Sequence, residues 1–294
     1  MKTITTDFEY LPAETLEEAL ELLSQHKDDD YKIIAGGQSL NTMMKHRLIM
    51  PEYVIDIKGL SDLDYIKEDA EGVKIGALTT HRTLEKSPVI IEKYPALAEM
   101  EEFVASVETR NWGTIVGDLV NADPAADPAP PLIALDATLT IAGKEETKTV
   151  KMEEFIIDFY ETVLQPGEMV TEIQIPALPP NTGFYFTKYS QLQGDYALAS
   201  AAVLLTLDAD KETCVNARIG LGGVGSTPIR AIQAEEALKG KKLTDELIAE
   251  AAKIATEEIS PITGIEASAD YKRELAGTLV KRVGKEALAR AVKA

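Results

Sequence analysis

Between residues 8 and 57 the apolar positions change period twice. Leu16, Ala19, Leu20 and Leu23 recur at the spacing of an amphipathic helix. Ahead of them, Thr15-Leu16-Glu17-Glu18 has the form in which two side chains reciprocally satisfy unpaired helix amides. Lys27-Asp28-Asp29-Asp30 ends that period, and Tyr31 to Ala35 follows as a short apolar strand running into Gly36-Gly37. A second helix is predicted from Ser39 to about Arg47 and a strand over Val54 to Ile57, so this stretch reads as a small α/β unit. A second unit follows over 60–175. Its predicted strands are Val73 to Ala77 and Val170 to Ile175, and its predicted helices Thr80 to Glu85 and Pro95 to Ala105. A hairpin is predicted where Thr138 to Ile141 and Thr147 to Val150 flank Gly143-Lys144.

Ala177-Leu178-Pro179-Pro180-Asn181 opposes both helix and strand and reads as a linker. Beyond it come three strand-like runs, Phe184–Ser190, Ala197–Leu207 and Val215–Leu221, then helical patterns at about 230–239, 244–257 and 269–292. That order predicts an antiparallel sheet backed by helices, and an α+β chain overall. The domains expected are 1–176, with subdomains about 1–57 and 58–176, and 182–294.

The 294 residues suit about two domains, and a hydrophobic share of 45% is ample for buried cores. No apolar run reaches the roughly 20 residues that span a bilayer, and no apolar segment follows a basic start at Met1-Lys2, so a cytoplasmic protein is expected. A formal net charge of −19 argues against nucleic acid and anionic membrane as partners. Residues 264–294 run the other way, with seven Lys/Arg against four Asp/Glu; this suits a solvated amphipathic helix or a docking face for another subunit. The single cysteine, Cys214, excludes internal disulfides and any thiolate cluster built by this chain alone, and its alternating surroundings make it a small buried hydrophobe. His26, His46 and His81 lie far apart, without metal-ligand spacing.

Two glycine-bearing segments carry candidate chemistry. Ala35-Gly36-Gly37-Gln38-Ser39 leaves a strand and meets a helix, with Ser39 as the expected cap; main-chain amides there can form an anion nest suited to a diphosphate. The same spacing also suits an ordinary turn. Gly113-Thr114-Ile115-Val116-Gly117-Asp118, with Asn121 to Asp127 behind it, offers a second polar, backbone-rich loop whose carboxylates can accept from ribose hydroxyls or simply cap turns. No nucleotide-triphosphate loop is present. Gly220-Leu221-Gly222-Gly223-Val224-Gly225 precedes Ser226-Thr227-Pro228 instead of opening a helix, which argues against a Rossmann fingerprint.

Taken together, Phe8 to Pro12, Ala35 to Ser39, Lys45 to Leu48, Ile75 to His81, Arg110 to Asp127, Gly194 to Ala197 and Pro228 to Arg230 resemble the FAD-binding medium subunit of the xanthine dehydrogenase and carbon monoxide dehydrogenase family, over nearly the whole chain. The resemblance implies a two-subdomain FAD domain of the PCMH type followed by a C-terminal α+β domain. It implies that Ala35, Gly36, Gly37, Gln38 and Ser39, with Thr114, Ile115, Val116, Gly117 and Asp118, wrap the diphosphate and ribityl groups, and that Asp127 binds nearby. Val170 would pack on the flavin, Lys188 would reach its polar edge and Tyr196 would lie beside the ring; the bland alternatives are a snorkelling strand lysine and a sheet-packing tyrosine. Where the family has two adjacent glycines this chain has Val116-Gly117. A β-branched residue resists positive φ, so either the β region or a shifted loop is expected at Val116.

The resemblance further implies a subunit that takes electrons from the [2Fe–2S] clusters of a small subunit, beside a molybdopterin-binding large subunit, in a dimer of heterotrimers. No general base or nucleophile is then needed. The alternatives are a stand-alone FAD oxidase of the vanillyl-alcohol type and an assembly subunit without flavin, the latter favoured by Val116.

Overall fold

The computed structural model describes residues 7–294; Met1–Thr6, on which the expectation of no leader rests, lie outside the described residues. The first unit is a parallel three-stranded sheet. Strand β1 (Glu9–Pro12), helix α1 (Leu16–Gln25), β2 (Tyr31–Ile34), α2 (Leu40–Lys45) and β3 (Tyr53–Asp56) follow in the chain, and β3 lies between β1 and β2. Parallel neighbours need crossovers, which the two helices supply. Strand β1 escapes the periodicity because it is four residues long and mostly exposed. The Thr15 hydroxyl accepts from the Glu18 amide at 3.2 Å, and the Glu18 carboxylate reaches the amide of Glu14, one residue ahead of the expected partner.

The second unit contains β4 (Ile66–Asp69), β5 (Gly72–Gly76), then short helices α3 (His81–Lys86), α4 (Pro88–Lys93), α5 (Pro95–Glu101), α6 (Val107–Trp112), α7 (Ile115–Asn121) and α8 (Ala129–Ala134). After them come β6 (Thr138–Ala142), β7 (Thr147–Lys151), α9 (Met152–Phe155), the small hairpin β8 (Ile156–Asp158) and β9 (Glu161–Thr162), and β10 (Met169–Pro176). The large sheet has the order β4-β5-β10-β6-β7, so the last strand closes its middle. The helix expected over 95–105 stops at Glu101. Ala105 takes a left-handed φ of 41°, and the Val104 carbonyl accepts from Arg110 at 2.8 Å.

The third unit is the antiparallel sheet β11 (Thr182–Tyr189), β12 (Ala199–Leu207), β13 (Cys214–Gly222) and β14 (Ile229–Arg230), followed by α10 (Ile232–Leu238), α11 (Asp245–Glu257) and α12 (Ala269–Lys293). Strand β12 is buried on both faces, and its residues alternate between two cores. Ala199, Ala201, Val203 and Leu205 meet Ala255, Val283 and Ala287 of the covering helices; Ala202 and Leu204, with Phe184 and Phe186, join the core that holds Leu97 and Met100. Cys214 is fully buried, and burial pushes its thiol up to about 11, as befits a hydrophobe and not a nucleophile.

Candidate functional site

The first glycine segment is defined by what it lacks. A β-carbon on Gly36 would lie 2.0 Å from the Trp112 carbonyl oxygen and 2.8 Å from the Gly113 α-carbon, so the two segments, far apart in sequence, touch main chain to main chain. Gly37 sits at φ +69°, a conformation that side chains resist. The amides of Gly36, Gly37, Gln38 and Ser39 donate to no group among the described residues, while the Gln38 side chain donates back to the Gly36 carbonyl at 3.0 Å. The expected Ser39 cap does not form. Ser39 is itself helical, at φ −84° and ψ −51°, and its hydroxyl makes no capping bond, so α2 begins from backbone geometry alone.

The second segment is not a loop but a helix start. Thr114 is extended, and its hydroxyl accepts from the Gly117 amide at 3.0 Å as the cap of α7. Gly117 suits this because a β-carbon there would come within 2.7 Å of the Thr114 hydroxyl. Val116 lies in the first turn of α7 with negative φ, and its buried side chain belongs to the main core. Both expectations for Val116, a β conformation or a shifted loop, are therefore corrected: the site needs no positive φ there, and the feature that favoured a flavin-free subunit disappears.

Between these segments opens a cleft of about 910 Å³. Ala35 to Ser39 line one side, Thr114, Gly117 and Asp118 another, and Asp127 and Tyr196 reach in from beyond. Tyr196 arrives on the loop after β11, which closes on the second unit where Gly194 meets the Ala105 carbonyl. Ile115, Val116, Val170 and Lys188 do not line the cleft. The first three are buried in the core behind its wall.

Lys188 is placed differently from the expectation. Its ammonium has three donors, and all are used: on the Asp127 carboxylate at 2.6 Å, the Asp195 carbonyl at 2.7 Å and the Phe103 carbonyl at 3.1 Å. It ties the loop carrying Tyr196 to the second unit and presents no charge to the cleft. Burial pushes the Asp127 carboxyl up, and the Lys188 ammonium opposes that. The second oxygen of Asp127, Oδ1, is buried with no partner, an acceptor still unused in a residue that lines the cleft.

Asn121, part of the polar segment behind the second glycine loop, lines the cleft too, and sequence reasoning missed His81 and Tyr160 as lining residues. Tyr160 stands at the tip of the β8–β9 hairpin with φ 54°, and its hydroxyl donates to Asp123 at 2.9 Å. His81 is buried, with Nδ1 2.7 Å from Glu101 Oε2 and Nε2 3.9 Å from Asp118 Oδ2. Its apolar neighbours Leu78 and Leu84 were the only available signal that it faces inward.

The cleft, lined by two glycine-bearing segments, lies where the three units meet, and comparison with known proteins gives the class of protein. Residues 6–178 match the model of the FAD binding domain in molybdopterin dehydrogenase, and residues 184–287 match that of the CO dehydrogenase flavoprotein C-terminal domain. The chain belongs to the family of FAD-binding medium subunits of molybdenum hydroxylases, flavoprotein components of oxidoreductases. It is 37% identical to the 6-hydroxypseudooxynicotine dehydrogenase complex subunit alpha of Paenarthrobacter nicotinovorans, over 97% of this chain and 95% of that one. It is 36% identical to the carbon monoxide dehydrogenase medium chain of Hydrogenophaga pseudoflava, over 96% and 98%. A carbon monoxide dehydrogenase structure from the latter organism superposes with a TM-score of 0.93 at 37% identity, covering 96% of this chain and 98% of that one. FAD is the cofactor of this domain. Among the described residues no helix is long and apolar enough to cross a membrane.

Proposed function

We propose that this chain is the electron-relay subunit of a cytoplasmic molybdenum hydroxylase, working between a [2Fe–2S] small subunit and a terminal acceptor, beside a molybdopterin-binding large subunit in a dimer of heterotrimers. The observation that carries the reading is the contact of Gly36 with Trp112 and Gly113, which brings two amide-bearing turns to one cleft. In this reading the segments 35–39 and 114–118 hold the diphosphate and ribityl groups, through donors that need no lysine. The unpartnered Asp127 oxygen accepts a ligand N–H or O–H. Tyr196 covers the cleft mouth, with Lys188 and Asp127 fixing the loop that carries it. Ile115, Val116 and Val170 stiffen the wall from behind. Bound FAD supplies one- and two-electron redox chemistry, while the chain excludes water from it and orients it.

The test is stopped-flow reduction of the reconstituted complex through its iron–sulfur subunit. Loss of cluster absorbance followed by loss of flavin absorbance is expected. A flavin that stays oxidised while the clusters are reduced would sink the proposal. The domain limits 1–176 and 182–294 are tested by limited proteolysis, with first cleavage expected at 177–181.

A further inference from the structure

The cleft is acidic for a site that must take a diphosphate. Six of its lining side chains are Asp or Glu, against two lysines and His81, on a chain of net charge −19. Both lysines, Lys27 and Lys32, are exposed, so among the described residues His81 is the only buried lining residue that can carry positive charge. Its position is central. A β-carbon on Gly113 would meet the His81 ring at 3.3 Å and the Gln38 side chain at 3.4 Å, which places the imidazole beneath the junction of the two turns. The His81 amide also donates to the Gly113 carbonyl at 3.0 Å.

The surroundings of this ring are arranged to keep it charged. Glu101, fully buried on α5, holds Nδ1 at 2.7 Å and leaves its other oxygen without a partner. Asp118 on α7 faces Nε2 at 3.9 Å. Asp127 lies further off and is paired to Lys188; Arg110 on α6 is held by Glu85 and the Val104 carbonyl. Burial by itself would push the imidazole down, but Glu101, then Asp118 and Asp127, outweigh it and hold His81 above the usual histidine range. Burial pushes the Glu101 and Asp118 carboxyls up as well, and the His81 cation opposes that in both, so losing its proton would remove the charge that favours their ionised forms.

We propose that His81 is the buried cation of the diphosphate cradle, kept protonated by Glu101, and that it makes FAD affinity depend on pH. This rests on the cofactor-site reading above. Because the folded-state pKa is raised, the cation is present below it and lost as pH rises through it, so affinity falls toward alkaline pH. By reciprocity, a bound diphosphate raises the His81 pKa further.

The test uses the full chain with two probes, FAD and ADP-ribose, whose shared diphosphate keeps its charge across the range studied. Calorimetric affinities from pH 6 to 9 are expected to fall by about tenfold or more in the wild type. They should be weaker and flat in His81→Gln, and fall at lower pH in Glu101→Gln. Should a variant not fold, histidine-detected NMR of the wild type still decides: the His81 resonances should titrate above the usual histidine range and move higher with ADP-ribose. Affinity flat with pH, or a His81 titration unmoved by ADP-ribose while binding is tight, overturns the inference alone. Failure of the folded wild type to bind either probe overturns the cofactor-site reading along with it.

Discussion

The two walls of the cleft are made of opposite materials. From Ala35 to Ser39, against Trp112 and Gly113, the wall is main chain, and a single methyl at Gly36 would sit 2.0 Å from a carbonyl oxygen. Where Asp127 and His81 line it, the wall is buried charge, paired from behind by Lys188 at 2.6 Å and Glu101 at 2.7 Å. The first wall cannot accept an atom, whatever its charge. The second accepts isosteric replacement but not an unmatched charge. The difference follows from the physics: main-chain contact is limited by hard-sphere repulsion, and buried charge by the cost of desolvation. Changes that alter volume and changes that alter charge should therefore act on different sides of the same cleft.

The largest effect is expected on the charged side. Lys188→Met leaves Asp127 buried and unpaired and should cost about 3–5 kcal/mol in urea unfolding. The double change with Asp127→Leu should recover most of it, and a double variant no more stable than the single would refute the pairing argument. Next comes a pH effect behind the same wall. Burial alone would raise Glu85, but Lys86, Arg82 and Arg110 outweigh it and hold its carboxyl at about 2. A carboxyl lowered by folding stabilises above its unfolded pKa, so this contribution is full near neutrality and is lost as pH falls from about 4.5 toward about 2. Urea midpoints across that window should fall less steeply in Glu85→Gln than in the wild type; identical slopes would show that the pairing contributes nothing.

On the main-chain side, Gly36→Ala should cost about 1–3 kcal/mol through overpacking and remove FAD binding as read by fluorescence quenching. An alanine variant that binds FAD like the wild type would mean the two turns can part without loss. The smallest effects compare the two helix starts. Thr114→Ala removes a formed cap and should cost about 1 kcal/mol, whereas Ser39→Ala removes none and should stay within about 0.5 kcal/mol. Equal losses at the two positions would contradict the geometry.

The elements with strong, repeated period were legible beforehand. Helix α1, the β6–β7 hairpin, and α11 and α12 carry enough apolar repeats to announce themselves. The short helices α6 and α7 did not, because six or seven residues hold barely two turns, and Gly113 before α7 and Gly117 within it suggest a loop. Strand β14 and the β8–β9 hairpin are shorter still and exist only through their partners.

The same division runs through the site. Composition and order alone determined that Gly36 and Gly37 stand at the end of a strand, that one cysteine builds no cluster, and that the chain resembles flavin-binding medium subunits; these depend on residue identity and local period. Tertiary structure alone decided that Lys188 turns inward to Asp127, that Val116 is helical and buried, and that His81 meets Glu101 from twenty residues away. Those outcomes depend on which buried groups find partners across the fold, and desolvation acts on neighbours in space, which a linear sequence does not display.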